Sequence, residues 1–248
     1  SGSIAVPILT LQQIRLAPNY YNIDIVGNNV GTNTTTGSVK IQSGGTFTVK
    51  SDGIFKHSNT AGFSGSSVTA IDNTNTPTIT LEANSTIDYA GADQTITLFS
   101  PAYRNLTISG TGVKTLQDDF ATRVEEDLKV DAAKLLLTIN QILTVKEGVS
   151  IAATGAEFEL DNNAQLIQID EVDTNVGTNF KLKRLAFVHA QDYVYWSSPV
   201  FDFNVGLIPT QQRYFWNPIN GNTNGTVGNW NGATGTDAIM PVGKGYIV

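Results

Sequence analysis

An apolar–polar–apolar triplet followed by a short polar turn recurs along the first two-thirds of the chain, and it limits the fold more tightly than any other feature. The triplets are Phe47-Thr48-Val49, Ile79-Thr80-Leu81, Leu106-Thr107-Ile108, Leu128-Lys129-Val130, Leu143-Thr144-Val145 and Phe158-Glu159-Leu160. Turns such as Lys50-Ser51-Asp52-Gly53, Ser109-Gly110-Thr111-Gly112 and Lys146-Glu147-Gly148 follow them. Side chains alternate along a strand, so the outer members of each triplet share one face and the middle member takes the other. A strand-and-corner unit repeated with a degenerate sequence predicts a solenoid whose coils bury their apolar sides against the next coil. The expected fold class is all-β: an irregular right-handed parallel β-solenoid.

Leu128, Leu143 and Phe158 follow one another at 15 residues, against 22 from Leu106 to Leu128. This predicts coils whose loops vary on one side while the core strands keep register. Residues 57–77 read as a long Ser/Thr/Asn/Gly insertion. Beyond residue 172 the rhythm stops and aromatics crowd in, among them Phe180, Tyr193, Tyr195, Trp196, Tyr214, Phe215, Trp216 and Trp230. The expected organisation is a solenoid stalk over 1–172 and a second, sandwich-like β module over 173–248. The opening Ser1-Gly2-Ser3 and the closing Gly245-Tyr246-Ile247-Val248, which reads as strand interior, suggest a piece excised from a longer polypeptide.

Apolar residues make up 40% of the 248, enough for a core, whereas charged residues reach only 15%, below the usual ~25%. The surface is therefore polar but sparsely charged. A net charge of −7 without any Lys/Arg cluster argues against nucleic acid and against anionic membranes. No apolar run is long enough for a membrane-spanning helix. The absence of cysteine removes disulfides, thiolate metal sites and cysteine nucleophiles.

The two histidines, His57 and His189, accompany no nucleophile motif, which argues against serine-type hydrolysis. Acidic clusters at Asp118-Asp119, Glu125-Glu126-Asp127 and Asp170-Glu171-Asp173 show no column at a constant offset, so they read as solvated turn acids and no catalytic residue is assigned. Asp170, Glu171 and Asp173 are the candidate ligands for Ca²⁺, the one cofactor considered, since alternating oxygen ligands suit a hard cation. Thr-x-Thr pairs suggest an ice-binding face, but Lys129 and Glu159 break that column. Aromatics stack on sugar rings. Trp230, in an Asn/Gly-rich loop, leads the carbohydrate-binding candidates, followed by Trp216 and Tyr214.

Two segments carry more than composition. Ile87-Asp88-Tyr89-Ala90-Gly91-Ala92-Asp93-Gln94-Thr95-Ile96, with Tyr103-Arg104-Asn105-Leu106-Thr107-Ile108-Ser109-Gly110-Thr111-Gly112-Val113-Lys114-Thr115-Leu116, resembles a repeat of very large secreted surface proteins of Bacteroidota. Tyr195-Trp196-Ser197-Ser198-Pro199-Val200 and Pro241-Val242-Gly243-Lys244-Gly245-Tyr246 resemble a segment found near the C-terminal regions of the same proteins. The resemblance covers residues 79–116 and 193–248. It implies export by the type IX secretion machinery and a cell-surface location as an adhesin or gliding-associated filament. It also implies neighbouring repeats of one long chain as contacts, with extracellular glycans or surfaces as partners, and it carries over no catalytic residue. The expected function is a non-catalytic structural and adhesive segment; the alternatives are a carbohydrate-binding module or a carbohydrate-active β-helix enzyme.

Overall fold

The computed structural model describes residues 4–5, 8–10, 20–25, 30–33, 36–117, 121–170, 175–187, 189, 192–198, 202–208, 212–219, 228–234, 238–241 and 243–248. The chain is all-β, with a parallel β-solenoid of about 6 turns followed by antiparallel sheets. It divides into two compact units, Ser1–Arg184 and Leu185–Val248.

One side of the solenoid is a continuous seven-stranded sheet made of Ile8–Thr10, Val30–Asn33, Ile54–His57, Thr86–Tyr89, Asn105–Ile108, Leu128–Val130 and Val149–Ile151. A second side stacks Gln94–Ile96, Val113–Leu116, Lys134–Leu137, Glu157–Leu160 and Phe180–Leu182. The third side is split. Its upper sheet holds Ile4–Ala5, Tyr20–Ile25 and Val39–Val49, whose two ends pair with Ile71–Asp72 and Thr78–Leu81. Its lower sheet holds Thr122–Val124, Ile142–Val145 and Gln165–Gln168. Both sheets supply the strand that precedes the continuous side in their coils, so they are two parts of one side.

Pairing shows the true coil length. Leu106 lies beside Leu128, Leu128 beside Val149, Leu143 beside Leu166 and Phe158 beside Phe180, steps of 22, 21, 23 and 22 residues. The 15-residue spacing read from the sequence is therefore two sides of a three-sided coil. Leu128, Leu143 and Phe158 stand on three different sides, because every side carries the same alternating code.

Inward residues form columns such as Phe55–Ile87–Leu106–Leu128, in register and without exposed surface. Burial of each such side chain stabilises by about 1.5–3 kcal/mol. The 57–77 insertion is closed over the stack, with Phe63 fully buried among Phe47, Phe55, Phe99 and Tyr103. The Asn59 side-chain amide holds the insertion by donating to Thr36 O (3.0 Å), Gly37 O (3.3 Å) and Val68 O (2.9 Å). Corners need the left-handed backbone region, supplied by Asp52, Asn84, Asn140 and Asn163. Gly110 (φ 72°) also passes so close to the coil above that a Cβ would lie 2.2 Å from Ala90 O.

The solenoid extends beyond residue 172. Phe180–Leu182 pairs with Phe158–Leu160, and the Phe158 and Phe180 rings meet edge to face at 5.3 Å. The unit boundary after Arg184 thus differs from the expected one because Phe180, counted among the module's aromatics, continues a solenoid column. In the C-terminal unit, Tyr195–Ser197, Gly245–Ile247, Tyr214–Asn217 and Asn229–Gly232 form an antiparallel sheet in that order. Phe203–Asn204 pairs with Ile239–Met240, and Val205, Phe215, Ala233, Met240 and Tyr246 make the core.

Candidate functional site

The antiparallel sheet sorts its aromatics by register. Tyr195 faces Ile247, which also faces Tyr214; Tyr214 faces Gly232, and Trp216 faces Trp230. Directly opposed residues share a face, as do residues two apart on one strand. Tyr195, Tyr214, Trp216 and Trp230 therefore stand on one face, while Trp196, Phe215 and Tyr246 turn to the other.

Burial follows the same division. Phe215 and Tyr246 are buried in the core, with the Tyr246 hydroxyl donating to Ile239 O at 3.1 Å. Lys244 Nζ lies 3.8 Å from the centre of the Phe215 ring, a cation–π contact. On the opposite face Tyr195 is 77% exposed and Trp216 and Trp230 are each 43% exposed. The two indoles pack edge to face, centroids 5.2 Å apart at 65°. Gly228 lets the Trp216 ring lie on the backbone, since a Cβ there would be 2.6 Å from Cζ2. Gly232 and Gly245 leave the surface between the rings open, with no atom within 4 Å of where a Cβ would stand. The product is an uncharged, partly exposed aromatic surface suited to stacking on apolar ring faces.

The three sequence-predicted residues Tyr214, Trp216 and Trp230 are thus brought together. Tyr195 joins them and was not singled out; its signal was the alternation in Tyr193-Val194-Tyr195-Trp196, which places Tyr195 opposite in sense to Trp196. Of the predicted Ca²⁺ ligands, Asp170 donates its N–H to Lys146 O (2.7 Å), while Glu171 and Asp173 lie outside the described residues. Asp118 and Asp119 lie outside them as well. Among the described residues no three His, Cys, Asp or Glu side chains gather as a metal site.

Three corner acids, Glu126, Glu147 and Asp170, nevertheless stack on one another, at unequal offsets. Glu147 N donates to Glu126 O (3.3 Å), and the register of Val145 beside Gln168 carries the column on to Asp170. The offsets of 21 and 23 residues fall within the range of coil lengths, and their inequality leaves no constant spacing in the sequence. Where these corner acids are engaged, they hold the backbone. Glu126 accepts from Asn84 N (3.0 and 2.9 Å) and Asn105 Nδ2 (2.8 Å), Asp127 from Gly148 N (2.9 Å), and Glu82 from Ser51 N (3.2 Å) and Lys50 Nζ (2.8 Å).

On the second side, Glu159 is gripped by Lys134 (2.7 Å) and Lys183 (2.5 Å), which pull its carboxyl down to about 2. Glu157 bridges Lys134 and Lys181 in the same ladder. Inside the coils, Tyr89 Oη meets Tyr103 Oη at 2.8 Å, and Tyr103 donates to Thr97 O at 2.6 Å. His57 is fully buried with Nε2 unpartnered, packed on Phe55 and Tyr89; burial first, then the charge of Lys114, pushes it down to about 3. Lys114, also without exposed surface, donates to Gly91 O (2.8 Å), Ala92 O (2.8 Å) and Thr111 O (2.5 Å). These groups serve the interior of the coils.

A family described as "Domain of unknown function (DUF8693)" matches residues 96–248, which take in the lower coils and the whole aromatic sheet. No curated protein and no solved structure matches the chain.

Proposed function

We propose that this chain, which belongs to the DUF8693 family, is a non-catalytic structural and adhesive segment of a bacterial cell-surface protein. The solenoid is the spacer. Its roughly 6 turns, stacked at about 4.8 Å per turn, span on the order of 30 Å. The aromatic face is the contact surface, and extracellular glycans are the partner whose ring faces it suits. Copies repeated along a long chain would convert weak single contacts into avidity. A cell-surface location and passage through a secretion machinery accompany this reading, on the strength of the resemblance in residues 79–116 and 193–248.

One observation carries it: Tyr195, Tyr214, Trp216 and Trp230 stand together on the open face of a sheet whose other face already has its core. An array of neutral oligosaccharides, probed with the chain multimerised on beads, tests it. Retention should fall by about tenfold or more in Trp230→Ala and Trp216→Ala, the loss of one stacked aromatic contact of about 1–2 kcal/mol or more. A silent array, or retention unchanged in both variants, refutes the glycan contact. The carbohydrate-active alternative predicts release of reducing ends from acidic polysaccharides. The backbone bonds of Glu82, Glu126 and Asp127 weigh against it.

A further inference from the structure

The split in the third side of the solenoid leaves a strand with an open edge. Among the described residues Thr78–Leu81 pairs only with Val39–Val49 above it. The next rung, residues 98–104, bonds downward: Tyr103 N to Arg123 O (3.1 Å), Glu125 N to Tyr103 O (2.9 Å) and Glu126 N to Arg104 O (3.1 Å). Glu82 N donates upward to Val49 O at 2.9 Å. Alternation then sends the peptide groups of Thr80 and Glu82 toward the strand above and those of Ile79 and Leu81 into the break. A cavity of about 390 Å³ opens there, its lining including Ile79, Leu81, Phe99, Ala102, Arg104 and Glu125. Across it runs one long bond, from Arg104 Nε to Leu81 O at 3.4 Å.

We propose that this break docks an extended peptide segment of a partner protein. The segment adds as a strand to the edge of Thr78–Leu81 and presents a carboxylate to Arg104. Three observations select that occupant. The N–H groups of Ile79 and Leu81 and the carbonyl of Ile79 offer donors and an acceptor that a strand, and no flat ring, satisfies in sequence, while Leu81 O already accepts from Arg104 Nε. The floor is apolar and belongs to the core: Ile79 is only partly covered because the rung beneath it is displaced, so alternate apolar side chains of a guest complete the column. Arg104 and Glu125 both line the break; Glu125 is paired with Arg123, which leaves the Arg104 guanidinium as the group to meet a guest carboxylate. The volume falls in the range of about 300–1,000 Å³ typical of ligand sites, and a strand of this length spans about 13 Å. The site is independent of the aromatic face.

Panning the whole chain with a displayed library of unconstrained linear peptides tests the proposal. Enriched peptides should alternate apolar residues, carry Asp or Glu, and slow hydrogen exchange at the amides of Ile79 and Leu81. Arg104→Glu should weaken them by about 10–100-fold, the worth of a charge-assisted hydrogen bond. Arg104→Lys, which keeps the charge and spares the fold, should weaken them less, and Trp230→Ala should leave them unchanged. Failure to enrich peptides, protection at other amides, equal binding by Arg104→Glu, or protection of Ile79 and Leu81 by neutral oligosaccharides instead would each overturn it.

Discussion

Acid should unfold the solenoid from within, through one side chain. His57 is packed between Phe55 and Tyr89 with Nε2 unpartnered, and its folded-state pKa is about 3 against an ordinary 6.5. Above pH 6.5 both the folded and the unfolded chain carry neutral imidazole, so the group adds no pH dependence. Below it the unfolded chain takes a proton that the folded chain refuses until about pH 3. Stability therefore falls with pH at a slope approaching about 1.4 kcal/mol per unit, reaching about 5 kcal/mol across the window. That is comparable to the whole stability of many domains, about 5–15 kcal/mol. His57→Phe removes the proton site while keeping a ring for Phe55 and Tyr89. Gln94 Nε2 remains satisfied by the carbonyls of residue 57 (3.2 Å) and Asn59 (3.0 Å). Urea unfolding at pH 7, 6, 5 and 4 should show the wild type losing stability steadily against the variant. At pH 7 the variant should be at least as stable, because an unpartnered buried nitrogen costs about 1–3 kcal/mol. Parallel curves for the two proteins between pH 6.5 and 4 would refute the reasoning, whatever the carboxylates do at lower pH.

Gly110→Ala should lower the melting temperature sharply, costing about 2–4 kcal/mol, because a left-handed backbone position and a 2.2 Å approach to Ala90 O are violated together. Gly228→Ala should disturb the Trp216–Trp230 pair, because its Cβ would meet the Trp216 ring and Asn217 O at 2.6 Å each, read as a change in tryptophan emission together with weakened glycan retention. Glu159 has its folded pKa depressed to about 2, so its stabilisation is present above about pH 4.5 and lost as pH falls toward 2. Glu159→Gln should cost about 1–2 kcal/mol at pH 7, a difference that should shrink as pH is lowered below about 4.5, measured by urea unfolding.

The strands, the inward residues and the solenoid class were legible because two-residue alternation is local: Leu106, Leu128 and Phe158 are inward by their neighbours alone. The coil length was not, since three sides written in one code make a two-side step look like a repeat. The stack of Glu126, Glu147 and Asp170 went unseen because its offsets of 21 and 23 residues are unequal. The 57–77 segment looked like a free insertion because polar residues do its work from inside. Asn59 satisfies three carbonyls, and nothing in an Asn/Ser/Thr run announces which amide is buried. Trp216 and Trp230 were legible as exposed rings. Their pairing with Tyr214 and Tyr195 depends on a register that joins strands far apart in sequence, which composition does not encode.

The broken third side also sets how the solenoid bears load. A pull along the stacking axis stretches the ladders between coils end to end, so the level with the smallest bonded cross-section yields first. Between the coil of Thr86–Tyr89 and that of Asn105–Ile108, two sides carry ladders, and among the described residues the third is spanned by the Arg104 bond to Leu81 O alone. A strand seated on the edge of Thr78–Leu81 would add a third ladder at that level and raise the force needed to part those two coils.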